Sequence, residues 1–125
     1  MSKHTFGKSE RLKTKKQIER LFVEGNSFTE FPLRVIWRYT EATESCVKTA
    51  FSVSKKNLTK AVHRNHIKRL IKESYRLKNQ ALISMVSEKG KQLQAMFIFL
   101  DTQLWDFHDL DIKISVTLER LQKEL

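Results

Sequence analysis

A chain of 125 residues with 40% apolar side chains fits one domain with a real core, and eight of its twelve aromatic residues are Phe. It carries 24 Lys and Arg against 14 Asp and Glu, a net charge of +10, which points to an acidic partner: nucleic acid or an anionic surface. A single cysteine, Cys46, excludes a disulfide-stapled scaffold, and the longest apolar run, Ala95 to Leu100, falls far short of the roughly 20 residues that span a bilayer.

A first helix is predicted over 14–24. Thr14-Lys15-Lys16-Gln17 has the form of a capping box, and Ile18, Leu21 and Phe22 recur at helical spacing. Gly25 stands where a left-handed C-cap would sit. Leu33, Val35, Trp37 and Tyr39 alternate with Arg34, Ile36 and Arg38, the period of a strand. Val47, Thr49, Phe51 and Val53 repeat that pattern, and the polar stretch Thr40 to Ser45 between the two reads as a hairpin loop. A helical pattern follows over 58–88, with Asn57 to cap its start and Gly90 to end it. Residues 94–100 are apolar on both faces, as in a buried central strand. Phe107, Leu110, Ile114, Leu118, Leu121 and Leu125 form the last helical stripe, capped by Asp106 or Asp109. The order helix-strand-strand-helix-strand-helix predicts an α+β fold: one two-layer α/β sandwich across 1–125, with 1–13 as a basic, flexible arm.

The charge is not spread evenly. Residues 1–20 carry a net +5 and residues 55–78 a net +8, while 21–54 and 79–125 come to −1 and −2. A block of nine basic side chains with Glu73 as its only acid is costly unless an anion lies beside it. On a helical wheel, Ile67, Leu70, Ile71, Tyr75, Ala81, Leu82 and Met85 share one side. Arg64, Asn65, Lys68, Arg69, Lys72 and Arg76 fill an arc of roughly 140° on the other. Lys60, Arg64, Lys68, Lys72 and Arg76 follow at steps of four, each neighbouring pair repelling by a few tenths of a kcal/mol. A row of phosphates reverses the sign of that cost. Ser52-Val53-Ser54-Lys55-Lys56 adds a strand end and a basic turn just before the helix start, one anion-binding corner. The apolar face of the helix is needed to cover the sheet, so no membrane partner is expected.

The stretch Ala50-Phe51-Ser52-Val53-Ser54-Lys55-Lys56, followed by Ala61-Val62-His63-Arg64-Asn65-His66-Ile67-Lys68-Arg69, resembles the signature of the bacterial ribonuclease P protein subunit. Arg11-Leu12-Lys13 and Ile18 to Gly25 match upstream, and the resemblance covers residues 10 to 125 in element order. It implies a cytoplasmic protein that assists an RNA-based endonuclease in removing the 5′ leader of precursor tRNA. The RNA subunit carries the chemistry with Mg²⁺, and the protein contributes no catalytic side chain and no metal site. By the resemblance, Ser52, Lys55, Lys56, Lys60, Arg64, Asn65, Lys68, Arg69, Lys72 and Arg76 face the RNA subunit, one protein per RNA. Arg11, Lys13, Ile18, Phe22, Arg34 and Trp37 are the candidates for a leader-binding cleft between the first helix and the sheet. The family fold implies a left-handed βαβ crossover, against the usual rule. The chain departs from the family pattern at Ala50 (commonly Gly), Thr59-Lys60 (commonly Gly-Asn), His66 (commonly Arg) and Ile18 (commonly aromatic).

Other readings of these residues stand beside this one. Trp37 and Phe22 fit either base stacking or the core, and Arg34 and Arg38 either a cleft floor or solvent. His63 and His66 have a permitted metal spacing but lie among cations. Asp101, Asp106, Asp109 and Asp111 match the carboxylates of a protein-only nuclease or, more simply, the start of a helix. An independent RNA-binding or ribosome-associated module is the alternative to a ribozyme subunit.

Overall fold

The computed structural model describes residues 15–41 and 46–125; the arm over 1–13, with Arg11 and Lys13, and the Thr14 cap lie outside them. In chain order the elements are α1 (Lys15–Glu24), β1 (Asn26–Glu30), β2 (Leu33–Thr40), β3 (Cys46–Val53), α2 (Ala61–Lys78), α3 (Gln80–Lys89), β4 (Gln92–Phe99) and α4 (Phe107–Glu124). The strands form one sheet in the order β1-β2-β4-β3, antiparallel except for the parallel pair β3·β4. The α+β class and the central place of β4 are as expected.

The expected hairpin between β2 and β3 is not formed. β4 lies between them, with Trp37 and Thr49 both opposite Ala95. From Ala95 to Phe99 β4 is wholly apolar, and it gains burial on both faces only in the middle of the sheet. β1 escaped sequence reading because Phe28 is its only buried residue, so no alternation shows.

Alternation divides the sheet into two faces. Val35, Trp37, Val47, Val53, Leu93, Phe97 and Phe99 point into the main core, against α2, α3 and α4. Phe97 holds the centre: Phe51 stacks on it at 5.6 Å and Tyr75 of α2 lies 5.6 Å away. On the other face, Leu21 of α1 packs on Ile36 and Met96, with Ile18, Ala50 and Ile98 at the edge.

The helix expected over 58–88 is two helices. Unbroken, the 29 residues from 61 to 89 would run about 43 Å, whereas an eight-residue strand spans only about 26 Å. The interruption at buried Asn79 separates the two segments, and α3 packs on β3 and β4. Asn57 does not cap α2; its side-chain amide donates to the Leu100 carbonyl at 2.8 Å, and the N-cap position is Lys60. Gly90 ends α3 in the left-handed conformation at φ 67°. Gly25 is not left-handed; it is required by space. A Cβ there would strike the Leu21 carbonyl oxygen and lie 2.9 Å from Ile36 Cγ2 and 3.1 Å from the Trp37 oxygen. Asp106 is the α4 cap and accepts from the Asp109 amide at 2.9 Å.

Candidate nucleic-acid interface

The turn between β3 and α2 is built on itself. The Ser54 carbonyl accepts from the amides of Asn57 (3.2 Å) and Leu58 (3.1 Å), and its hydroxyl accepts from the Lys56 amide at 3.0 Å. This closes the backbone and leaves Lys55 and Lys56 exposed. Arg64 reaches back from the first turn of α2. Its Nη1 donates to the carbonyls of Leu58 (2.8 Å) and Thr59 (2.9 Å). Arg64 therefore fastens the turn to the helix, and only part of its guanidinium is left to face a ligand.

α2 buries Ile67, Ile71, Ser74 and Tyr75 against the sheet and α4. The opposite face is solvent: Asn65, His66, Arg69 and Lys72 are exposed, Lys60 stands at its start, and Lys68 lies half-buried at its flank. Arg76 is engaged by Glu73 through two bonds, Nη2 to Oε2 at 2.7 Å and Nε to Oε1 at 3.1 Å. The Arg76 hydrogen bond holds the Glu73 carboxyl below the usual carboxylate range. The exposed cations of this surface with no carboxylate bridge among the described residues are thus Lys55, Lys56, Lys60, Arg69 and Lys72; half-buried Lys68 has none either, and Arg64 bonds only backbone carbonyls. The exposed ones form one basic tract from the turn along the first three turns of the helix.

The α1 side of the sheet gathers a second set. Ile18 packs beside Ile36 and Met96, Arg34 is exposed on β2, and Phe22 is 51% exposed on α1. Ser52, grouped with α2 in the sequence, lies on this side by its alternation with Phe51 and its pairing with Ile98. Trp37 does not belong here. It is 8% exposed, in the main core on the opposite face, with its ring 5.8 Å from Tyr39. The reason is period two: Arg34, Ile36 and Arg38 turn to α1, so Trp37 turns away. Sequence reading missed Ile36 as a floor residue, and also the row Arg38–Gln94–Lys48 across three strands. Arg38 is half-buried with Nη1 3.5 Å from Glu24 of α1. Alternation already set these residues on one face; strand order was needed to make them neighbours.

The aspartates have structural partners. Asp101 accepts from the amides of Thr102 and Gln103 and from the Trp105 indole, whose N–H chiefly holds its carboxyl below the usual range. Asp111 accepts from the Ser74 hydroxyl at 2.6 Å and pairs with Lys78 at 3.2 Å, tying α4 to α2. No helix among the described residues is long and apolar enough to cross a membrane.

Comparison with known proteins bears on the family and the fold. The Ribonuclease P family profile matches residues 6–120. The ribonuclease P protein component of Porphyromonas gingivalis is 35% identical over 120 residues, covering 94% of this chain and 88% of that protein. The ribonuclease P protein of Thermotoga maritima superposes with a TM-score of 0.68 at 23% identity, over 89% of this chain and 96% of that one. That of Staphylococcus aureus gives 0.62 at 24% identity, over 93% and 94%. At such identities the two structures speak for the fold; the family profile and the closer sequence relative speak for more. The chain therefore belongs to the ribonuclease P protein family, the protein component of an endoribonuclease holoenzyme whose partner is the ribonuclease P RNA.

Proposed function

We propose that the protein grips the ribonuclease P RNA along the tract Lys55–Lys56–Lys60–Arg69–Lys72, with Asn65 and Lys68 beside it, one protein to one RNA. The α1 side of the sheet, with Ile18, Phe22, Arg34 and Ile36, receives the single-stranded 5′ leader of precursor tRNA. The RNA subunit cleaves with Mg²⁺ that it holds itself, in the cytoplasm, and the protein supplies counter-charge and substrate grip.

One observation carries this reading: five cations stand on a continuous exposed surface whose underlying turn is closed by its own backbone and by Arg64. A surface organised in advance loses little entropy when phosphates bind. The α1 side adds apolar floor and cations in one place, the composition that suits an extended strand of nucleotides.

The test is leader cleavage in Mg²⁺ by the protein alone, by ribonuclease P RNA alone, and by both. The pair should cleave a long-leader precursor better than the RNA alone, and the protein alone should not cleave. Cleavage by the protein alone would overturn the assignment of the chemistry to RNA. Equal cleavage by RNA with and without protein would overturn the assisting role.

A further inference from the structure

Leu100, just past β4, ties three loops together at one end of the sheet. Its amide donates to the Pro32 carbonyl at 2.7 Å, in the turn between β1 and β2. Its carbonyl accepts from the Asn57 side chain at 2.8 Å, in the basic turn after β3. The chain then runs directly into the loop before α4, where Trp105 lies.

Two large aromatic rings meet on this corner. Phe31 and Trp105 have centroids 6.5 Å apart at 61°, an edge-to-face pair. Phe31 is 54% exposed and neighbouring Leu104 49%, an unusual display for a chain with ample core to fill. Trp105 is fixed: it packs partly on the core, and its indole nitrogen donates to Asp101 at 2.7 Å. Exposed Lys55 and Lys56 stand on the adjoining turn. The acids of the corner are all engaged: Asp101 as above, Glu30 with Arg120 at 2.9 Å, and Asp106 as the α4 cap. Pinned aromatic rings beside lysines are the composition that takes an unpaired base and its phosphate.

We propose that Phe31 and Trp105 form a stacking site for one unpaired base of the ribonuclease P RNA, with Lys55 and Lys56 on the adjoining phosphate. The occupant is that RNA because the corner continues the basic tract of α2 through the Asn57–Leu100 bond, whereas the α1 side lies beyond the opposite face of the sheet from the main core. The inference rests on the reading that the tract binds this RNA.

The experiment is a titration of the full chain with ribonuclease P RNA. Phe31→Ala removes a half-exposed ring and one edge-to-face contact, and should lower the melting temperature by a few degrees while the protein stays folded at the titration temperature. It should raise the Kd about 5- to 150-fold, the factor for a stacking contact of about 1–3 kcal/mol, and Phe31→Tyr should restore it. In a Trp37→Phe background, where Trp105 is the only indole, emission should be quenched at one equivalent of RNA. A Kd for Phe31→Ala within twofold of the parent overturns the site, and this holds even if the Trp37→Phe protein does not fold. Quenching that comes only when precursor tRNA is added overturns the choice of occupant. Arg69→Ala separates the two readings: if it weakens RNA binding while Phe31→Ala does not, the tract stands and the stacking site falls.

Discussion

Gly25→Ala tests how α1 is seated. The added methyl meets the Leu21 carbonyl, the Trp37 carbonyl at 3.1 Å and Ile36 Cγ2 at 2.9 Å, and the first two are backbone atoms that no rotamer can move. Two responses are open to the protein. It can keep α1 docked and absorb the overlap, which costs about 1–3 kcal/mol in a packed site. Or it can release α1 and lose the burial of Leu21, about 1.5–3 kcal/mol, with a smaller part from Ile18. The two costs are similar, so the loss lies at about 1–3 kcal/mol whichever occurs, or roughly 3–15 °C in Tm for a domain of this size. Thermal unfolding gives the total, and hydrogen exchange in α1 tells the responses apart. A double variant gives a second discriminator: if α1 is released, Leu21→Ala adds almost nothing to Gly25→Ala, and if it stays docked Leu21→Ala brings a further loss, though not a strictly additive one, because both sites touch Ile36. Leader binding should weaken in the released case, while RNA binding by α2 persists. A Gly25→Ala protein with parental Tm and parental α1 exchange would refute the steric reasoning.

Trp37→Ala should cost about 3–5 kcal/mol in denaturant unfolding, and at temperatures where it is folded it should treat long and short leaders as the parent does. Trp37→Phe should be far milder, because the indole N–H it removes is buried with no hydrogen-bond partner among the described residues. Arg69→Ala should leave stability within about 0.5 kcal/mol and lower the slope of log K against log salt by about one. Arg64→Ala should weaken RNA binding and also lower Tm, since it releases the carbonyls of Leu58 and Thr59. For Asp111, burial raises the carboxyl pKa, but the Ser74 hydroxyl and Lys78 outweigh it and hold it below the ordinary value. A carboxyl lowered on folding stabilises above its unfolded pKa of about 3.9, and that contribution is lost as pH falls through the folded value. Tm measured from pH 6 downward should therefore fall less steeply in Asp111→Asn than in the parent, from a lower starting point.

Periodicity made most elements legible, because burial on one face leaves a signal in every second or every third to fourth residue. β2, β3, α1 and α4 could be read in that way, and β4 from a run apolar on both faces. β1 could not, with one buried side chain in five, and nor could the break at Asn79, which answers to the width of the sheet and not to any local signal. The basic tract was legible as charge: Lys55 and Lys56 stand exposed on the turn, and Lys60, Arg69 and Lys72 stand exposed along the helix that follows, as their spacing implied. Charge alone did not reveal that Arg64 and Arg76 spend their guanidinium groups within the protein. Trp37 shows the other limit. An aromatic residue on an alternating strand belongs to one of two faces, and the sequence does not say which face α1 covers.

The place of β4 between β2 and β3 also orders the folding of the chain. β1 and β2 can pair as soon as both exist, but β3 has no hydrogen-bonded neighbour until residues 92–99 are made, some 40 residues later. Closing a loop of that length is slow compared with a hairpin turn. Until then β2 and β3 each present an unpaired edge, and the Phe51 ring lacks the Phe97 platform on which it stacks. A fragment ending before Gln92 should therefore aggregate or be degraded rather than fold, although it holds the whole basic tract. The basic tract becomes a formed surface only with a strand that contributes none of its cations.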